Sequence, residues 1–250
     1  MGDIQVVSRD AWLVARRRLL ANEEQAARVL AEVSAERQAL PVVEVDKEYV
    51  FEGPDGKVTL PELFEGRSQL IVYHFMFDPA WEAGCKFCSY LVDSIGNLSH
   101  LHRRDTTFAL VSRAPYAGIE RFRARMGWTM PWYSSFGSDF NYDFHVTQDE
   151  SVAPVEYNYQ DRETLLQNGE EWVTRGEQSG LSVFVQHDAT VFHTYSGYGD
   201  GPTVLHGTDT LLDFTPQGRP RLDELSRWLR HHDRYAPAQL GAAGVVSPSK

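Results

Sequence analysis

Residues 70–88, LIVYHFMFDPAWEAGCKFC, constrain the fold of this chain more than any other stretch. Leu70 to Phe77 is an apolar run of buried-strand length, and it stops at Asp78-Pro79. A loop then leads to Cys85 and Cys88, the only two cysteines in the chain. The stretch from Ser89 to Ile95 has helical character, so the pair is expected to open a helix of about 86–102. A buried strand, a loop and a Cys-x-x-Cys at a helix start is a context for thiol chemistry. Unpaired N–H groups and the positive helix end favour thiolate over thiol, so Cys85 is expected to be more acidic than a free cysteine.

Composition narrows the partners. The 250 residues carry a net charge of −11, which argues against nucleic acid and anionic membrane surfaces. Hydrophobic content of 42% suffices for a core. The N-terminal stretch MGDIQVVSRDAWLVARRRLL has an arginine cluster but no signal-peptide pattern, and no run reaches membrane-span length. A cytoplasmic location is therefore expected, where a Cys-x-x-Cys points to redox or metal chemistry more than to a structural staple.

Residues 1–42 read as a helical extension. Ser8 is an N-cap candidate, Asn22 could cap a second helix, Leu30 and Val33 are expected to face inward, and Leu40-Pro41 ends the segment. Packing on its own domain and service as a dimerising arm are both open to it, so a homo-oligomer is one expectation. From 43 to 235 the pattern alternates strands and helices: strands near 43–51, 57–60, 70–77, 106–112 and 131–133, and a helix over 116–126. A hairpin over 181–195, a strand at 211–214 and a helix over 222–229 follow. Residues 145–180 lack a period and read as an ordered insertion or lid, and 236–250 as a disordered tail. A βαβ unit followed by ββα, with Cys-x-x-Cys opening the first helix, is the thioredoxin plan. The fold class is α/β: a central mixed sheet flanked by helices, with the N-terminal helical extension.

The chain resembles an uncharacterised bacterial family of thioredoxin-like proteins, a domain of unknown function related to the peroxiredoxin branch. The resemblance rests on DKEYVFEGPDGKVTLPELFEGRSQLIVYHFMF, GCKFCSYLVD, VSRAP, FRARMGW, PWYSSFGSDFNYDF, LSVFVQ and VFHTYS, in order over about 45–215. It implies a thioredoxin-like fold and leaves the substrate open. Two departures from the superfamily stand out. Where thioredoxins carry a cis-proline, Ser182 is expected here, in a trans peptide. Where peroxiredoxins carry Thr or Ser three residues before the attacking cysteine, this chain has Glu82, which disfavours peroxidase chemistry.

The first reading is a thiol–disulfide oxidoreductase on a small-molecule or protein thiol, needing no cofactor. Cys85 attacks and Cys88 resolves the mixed disulfide. The alternative is a copper protein or copper-dependent oxidase acting on an aromatic small molecule, with Cys85, Cys88 and His145 as ligands and His193 as a further candidate for the third position. His100 and His102, at the far end of the expected helix, lie roughly 18 Å away at the rise of an α-helix and are excluded. A non-catalytic binding protein is the third reading. Trp81, Trp132, Tyr142 and Ser182 are the candidate substrate-binding residues, with Trp128 as a further aromatic wall. His74, inside the central strand, is expected to be neutral and hydrogen-bonded.

Overall fold

A computed structural model of the chain describes residues 5–199 and 201–235, so the expected tail lies outside the described residues. Among the described residues no helix is long and apolar enough to cross a membrane. The chain divides into two compact units, Met1–Val43 and Glu44–Lys250.

The first unit is one helix, α1 (Arg9–Gln38). Ser8 caps it as expected, its Oγ accepting from the Ala11 N–H at 3.2 Å. The expected break at Asn22 does not occur. Asn costs a helix interior only a few tenths of a kcal/mol more than its Ala-, Leu-, Arg- and Glu-rich neighbours, and the stretch has no Gly or Pro. None of the residues of α1 is buried, and Leu30, expected to face inward, is 63% exposed.

The second unit is built on an eight-stranded mixed sheet. It begins at the short edge strand β1 (Val43–Glu44). The hairpin β2 (Val50–Gly53) and β3 (Gly56–Thr59) comes next, then β4 (Gln69–His74). The helices α2 (Lys86–Val92) and α3 (Ser99–Arg103) lead to β5 (Thr106–Ser112). After α4 (Tyr116–Met126) come β6 (Trp132–Ser134) and the short α5 (Phe140–Asp143). The aperiodic stretch holds β7 (Thr147–Gln148), β8 (Glu156–Tyr157), β9 (Gln160–Asp161), α6 (Arg162–Gln167) and β10 (Gly176–Glu177). The hairpin β11 (Gly180–His187) and β12 (Thr190–Tyr198) is followed by α7 (Gly207–Leu212) and α8 (Leu222–Trp228).

The sheet order is β1-β12-β11-β4-β5-β6-β2-β3. The β4–β5 and β5–β6 pairs are parallel, whereas β11 runs antiparallel to both β4 and β12. A βαβ crossover beside an antiparallel hairpin, with a helix after it, is the thioredoxin arrangement. Alternation along β4 divides the core between two faces. Leu70 and Val72 pack with Phe140, Phe144 and Phe184 on one face. Tyr73 and Phe75 pack with Cys88, Leu91 and Trp132 on the other.

Two expected elements come out differently. The helix expected over 86–102 ends at Val92, and α3 is a separate turn after the Gly96-Asn97 break, so His100 and His102 leave the cysteine helix altogether. Leu211-Leu212-Asp213-Phe214 was expected as a strand but falls at the end of α7. A short apolar run has no period to distinguish the two, and the exposed Leu211 shows that this one is not core.

Candidate functional site

The dithiol sits where the central strand runs out. Beyond β4 the chain stays extended, the Phe75 N–H donating to the Val111 carbonyl at 2.9 Å, and then loops out from Asp78 to Cys85. The loop returns onto the strand: the Cys85 N–H donates to the Met76 carbonyl at 3.0 Å. Gly84 permits that return, because a Cβ on it would stand 2.5 Å from the Phe75 ring. Across the loop, His231 Nε2 donates to the Gly84 carbonyl at 2.9 Å.

The two thiols have different surroundings. Cys85 is half-buried and Cys88 fully buried. The Cys88 thiol donates to the Cys85 sulfur, the Cys88 and Phe87 backbone N–H groups point at it, and the Lys86 charge is near; together these bring Cys85 down to about 7. Since α2 is only seven residues long, these specific donors rather than a long helix dipole account for the acidity. Burial pushes the Cys88 thiol well up, although the Met76 N–H at 3.4 Å and the Tyr73 hydroxyl both donate to its sulfur.

Beside Cys88 is a cavity of about 70 Å³, lined by Tyr73, Phe87, Leu91, Ser179 and His206 among others. The larger cavity, of about 390 Å³, holds no cysteine. It lies over Arg113, which joins Asp78 at 3.0 Å to the buried Glu177 at 2.7 Å. Glu177 also accepts from Thr147 Oγ1 at 2.9 Å. Burial pushes the Glu177 carboxyl up, and Arg113 opposes that shift.

The other sequence candidates fall in different places. Trp81 is on the Asp78–Cys85 loop and 44% exposed, available to a ligand. Tyr142 lies under the Arg113 guanidinium, 5.9 Å from ring centre to carbon, and lines neither cavity. Trp132 is not a pocket wall: it is buried among Phe75, Phe77, Phe122 and Trp128, its indole N–H donating to Ser112 Oγ at 3.0 Å. Ser182 is on the wrong face. It pairs with Val72, so its side chain points away from Cys88 and bonds His74 Nε2 and Ser196 Oγ, each at 2.8 Å. Leu181 of β11 packs on the Cys88 face, and Ser179, just before the strand, lines the cavity beside that thiol. No cis peptide occurs among the described residues.

His145 does not join the cysteines either. Its Nε2 turns to Glu156 Oε1 at 3.6 Å. Among the described residues no three of His, Cys, Asp and Glu gather as a metal would require, so the ligand set expected for copper does not assemble. The sequence reading also missed two groups. Arg113 was visible only as part of a family motif, and His206, three residues before Asp209 in an aperiodic stretch, gave no signal until the fold set it beside Cys88.

Solved structures match the chain at low sequence identity. The bacterioferritin comigratory protein of Xanthomonas campestris aligns over 68% of this chain and 93% of its own, at 12% identity and a TM-score of 0.40. A putative protein disulfide isomerase from Bacteroides thetaiotaomicron aligns over 68% and 88%, at 16% identity and 0.38. The mitochondrial 2-Cys peroxiredoxin of Plasmodium falciparum aligns over 68% and 91%, at 10% identity and 0.37. No curated protein matches the chain. One family model does, described as a bacterial protein of unknown function, DUF899, and it spans residues 1–235. The chain belongs to the DUF899 family.

Proposed function

We propose that the protein is a thiol–disulfide oxidoreductase in which Cys85 attacks and Cys88 resolves. The observation that carries this reading is the asymmetry of the pair: a half-buried thiol brought down to about 7 beside a fully buried one pushed up. At neutral pH roughly half of Cys85 is thiolate, while Cys88 keeps its proton. The Cys85 thiolate attacks one sulfur of a substrate disulfide; the substrate S–S bond breaks and its other sulfur leaves as a thiolate. Cys88 then loses its proton and attacks Cys85 in the mixed disulfide. The second substrate sulfur leaves, and the products are reduced substrate and a Cys85–Cys88 disulfide. The same steps in reverse oxidise a substrate dithiol. The exposed Trp81 offers an apolar contact on the loop that leads to the attacking sulfur.

Alkylation of the reduced protein by iodoacetamide tests the roles. Cys85→Ser should abolish labelling near pH 7, and Cys88→Ser should leave Cys85 reactive and trap it as a mixed disulfide when a small-molecule disulfide is added. Equal reactivity of the two thiols would refute the assignment.

A further inference from the structure

Resolution of the mixed disulfide requires a proton acceptor for Cys88. That thiol is fully buried, and its anion would be costly there, so the proton must go to a neighbour as the sulfur attacks. We propose that His206, oriented by Asp209, takes this proton through the small cavity that both His206 and Cys88 line. The inference rests on the dithiol reading above.

The cavity wall offers few alternatives. The Tyr73 hydroxyl already donates to the Cys88 sulfur, so it faces that thiol as a donor. The Ser179 carbonyl is taken by the Tyr157 hydroxyl at 2.9 Å. His206 contributes an imidazole, and its tautomer is set from behind. Its Nδ1 lies 3.3 Å from Asp209 Oδ2, and Asp209 Oδ1 accepts from the Tyr90 hydroxyl at 2.7 Å. Asp209 is itself buried at 8% exposure, and the Tyr90 ring meets the imidazole edge-on at 5.6 Å. Nδ1–H donation to the carboxylate leaves Nε2 with a free lone pair.

The charged and titratable groups facing the His206–Asp209 pair are Tyr90 and Arg219; Cys85, Tyr73 and Tyr157 face Cys88. Burial holds His206 below the usual histidine range, Arg219 pushes the same way, and Asp209 opposes them. The imidazole is therefore neutral at pH 7 and able to accept. The cycle balances within the site. Nε2 gains the Cys88 proton as the Cys85–Cys88 bond forms and the Cys85–substrate bond breaks, and the imidazolium then returns that proton to the departing substrate thiolate.

The test is rapid mixing of the reduced full-length protein with 5,5′-dithiobis(2-nitrobenzoate). This probe releases one chromophoric thiolate when Cys85 forms the mixed disulfide and a second when Cys88 resolves it. In His206→Gln the first phase should keep its rate. The second should slow on the order of 10²-fold at pH 7, and should lose the decline that the wild type shows as acid protonates the imidazole. Added imidazole should restore the second phase in His206→Ala. An unchanged second phase in His206→Gln would overturn the inference, and so would equal slowing of both phases. A wild-type protein with no Cys85-dependent first phase, or no Cys88-dependent second one, would instead refute the dithiol reading itself.

Discussion

The buried imidazole of His74 makes the fold acid-sensitive in a window that can be calculated. His74 is 1% exposed on the central strand, and its ring stacks on Phe144 at 6.0 Å. Its Nε2 bonds Ser182 Oγ at 2.8 Å, and a row of hydrogen bonds of the same length continues through Ser196 Oγ to His193 Nε2. Nδ1 has no hydrogen-bond partner among the described residues. A charge there would be unsolvated, so burial, helped by His193, holds His74 down at about 3. In the unfolded chain the same group titrates near 6.5. Between these values the unfolded chain binds a proton that the folded chain refuses. Stability therefore rises with pH through this window and is lost as pH falls below about 6.5. At pH 5 the loss from His74 alone is roughly 1.5 pH units at 1.36 kcal/mol each, about 2 kcal/mol. The measurement is urea unfolding of the wild type and His74→Gln at about pH 7.5 and pH 5. Glutamine lowers stability at both pH values, so the change between them is what counts. The wild type should lose about 2 kcal/mol more than the variant over this interval. Equal losses would show that His74 is not held neutral by its site, and the account of this face of the core would fall with it.

Two further substitutions probe the loop that carries the dithiol. Gly84→Ala should destabilise by about 1–3 kcal/mol, because its Cβ would stand 2.5 Å from the Phe75 ring and 3.0 Å from the Phe122 ring in a packed layer. Since the displaced backbone leads directly into Cys85, the midpoint of its alkylation rate against pH should move up from about 7. Arg113→Gln should cost about 3–5 kcal/mol in thermal or urea unfolding, because it strands the buried Glu177 carboxylate, and Glu177→Gln in the same chain should recover part of the loss.

Local signals carried the central part of the fold. The apolar run over 70–77, the Asp78-Pro79 stop and the cysteine spacing each act within a few residues; the strand forms over Gln69–His74, three residues short of the run's end, and Cys85 stands at the start of α2. The β11–β12 hairpin was legible for the same reason, as two β-rich runs around a short turn. What the sequence could not set was register. Placing Ser182 beside the cysteines required knowing which residue of β11 lies opposite the end of β4, and an error of three residues moves a side chain to the other face. Trp132 shows the same limit from another direction: an aromatic residue reads alike as pocket wall or core, and only the rings around it decide. His206 and Asp209 were invisible because the residues they meet, Tyr90 and the wall of the cavity beside Cys88, are far away in the chain, and because α7 is too short to show a period.

The stretch 145–180 gains a physical role from these contacts. It read as an insertion or a lid, and its buried Thr147 and Glu177 form part of the tie that reaches Arg113. Thr147 holds Glu177, Glu177 holds Arg113, Arg113 holds Asp78, and Asp78 begins the loop that ends at Cys85. Ser179, at the end of the same stretch, lines the cavity beside Cys88. The other end of the loop is fixed by the Met76 carbonyl and by His231 against Gly84. A loop tied at both ends keeps the Cys85 sulfur within reach of the Cys88 thiol and of the Cys88 and Phe87 N–H groups, and those bonds lower its pKa. The Cys85 loop is thus held from two sides, by Glu177 through Arg113 at Asp78 and by His231 at Gly84. Their effects on Cys85 acidity should add, because the two ties share no partner.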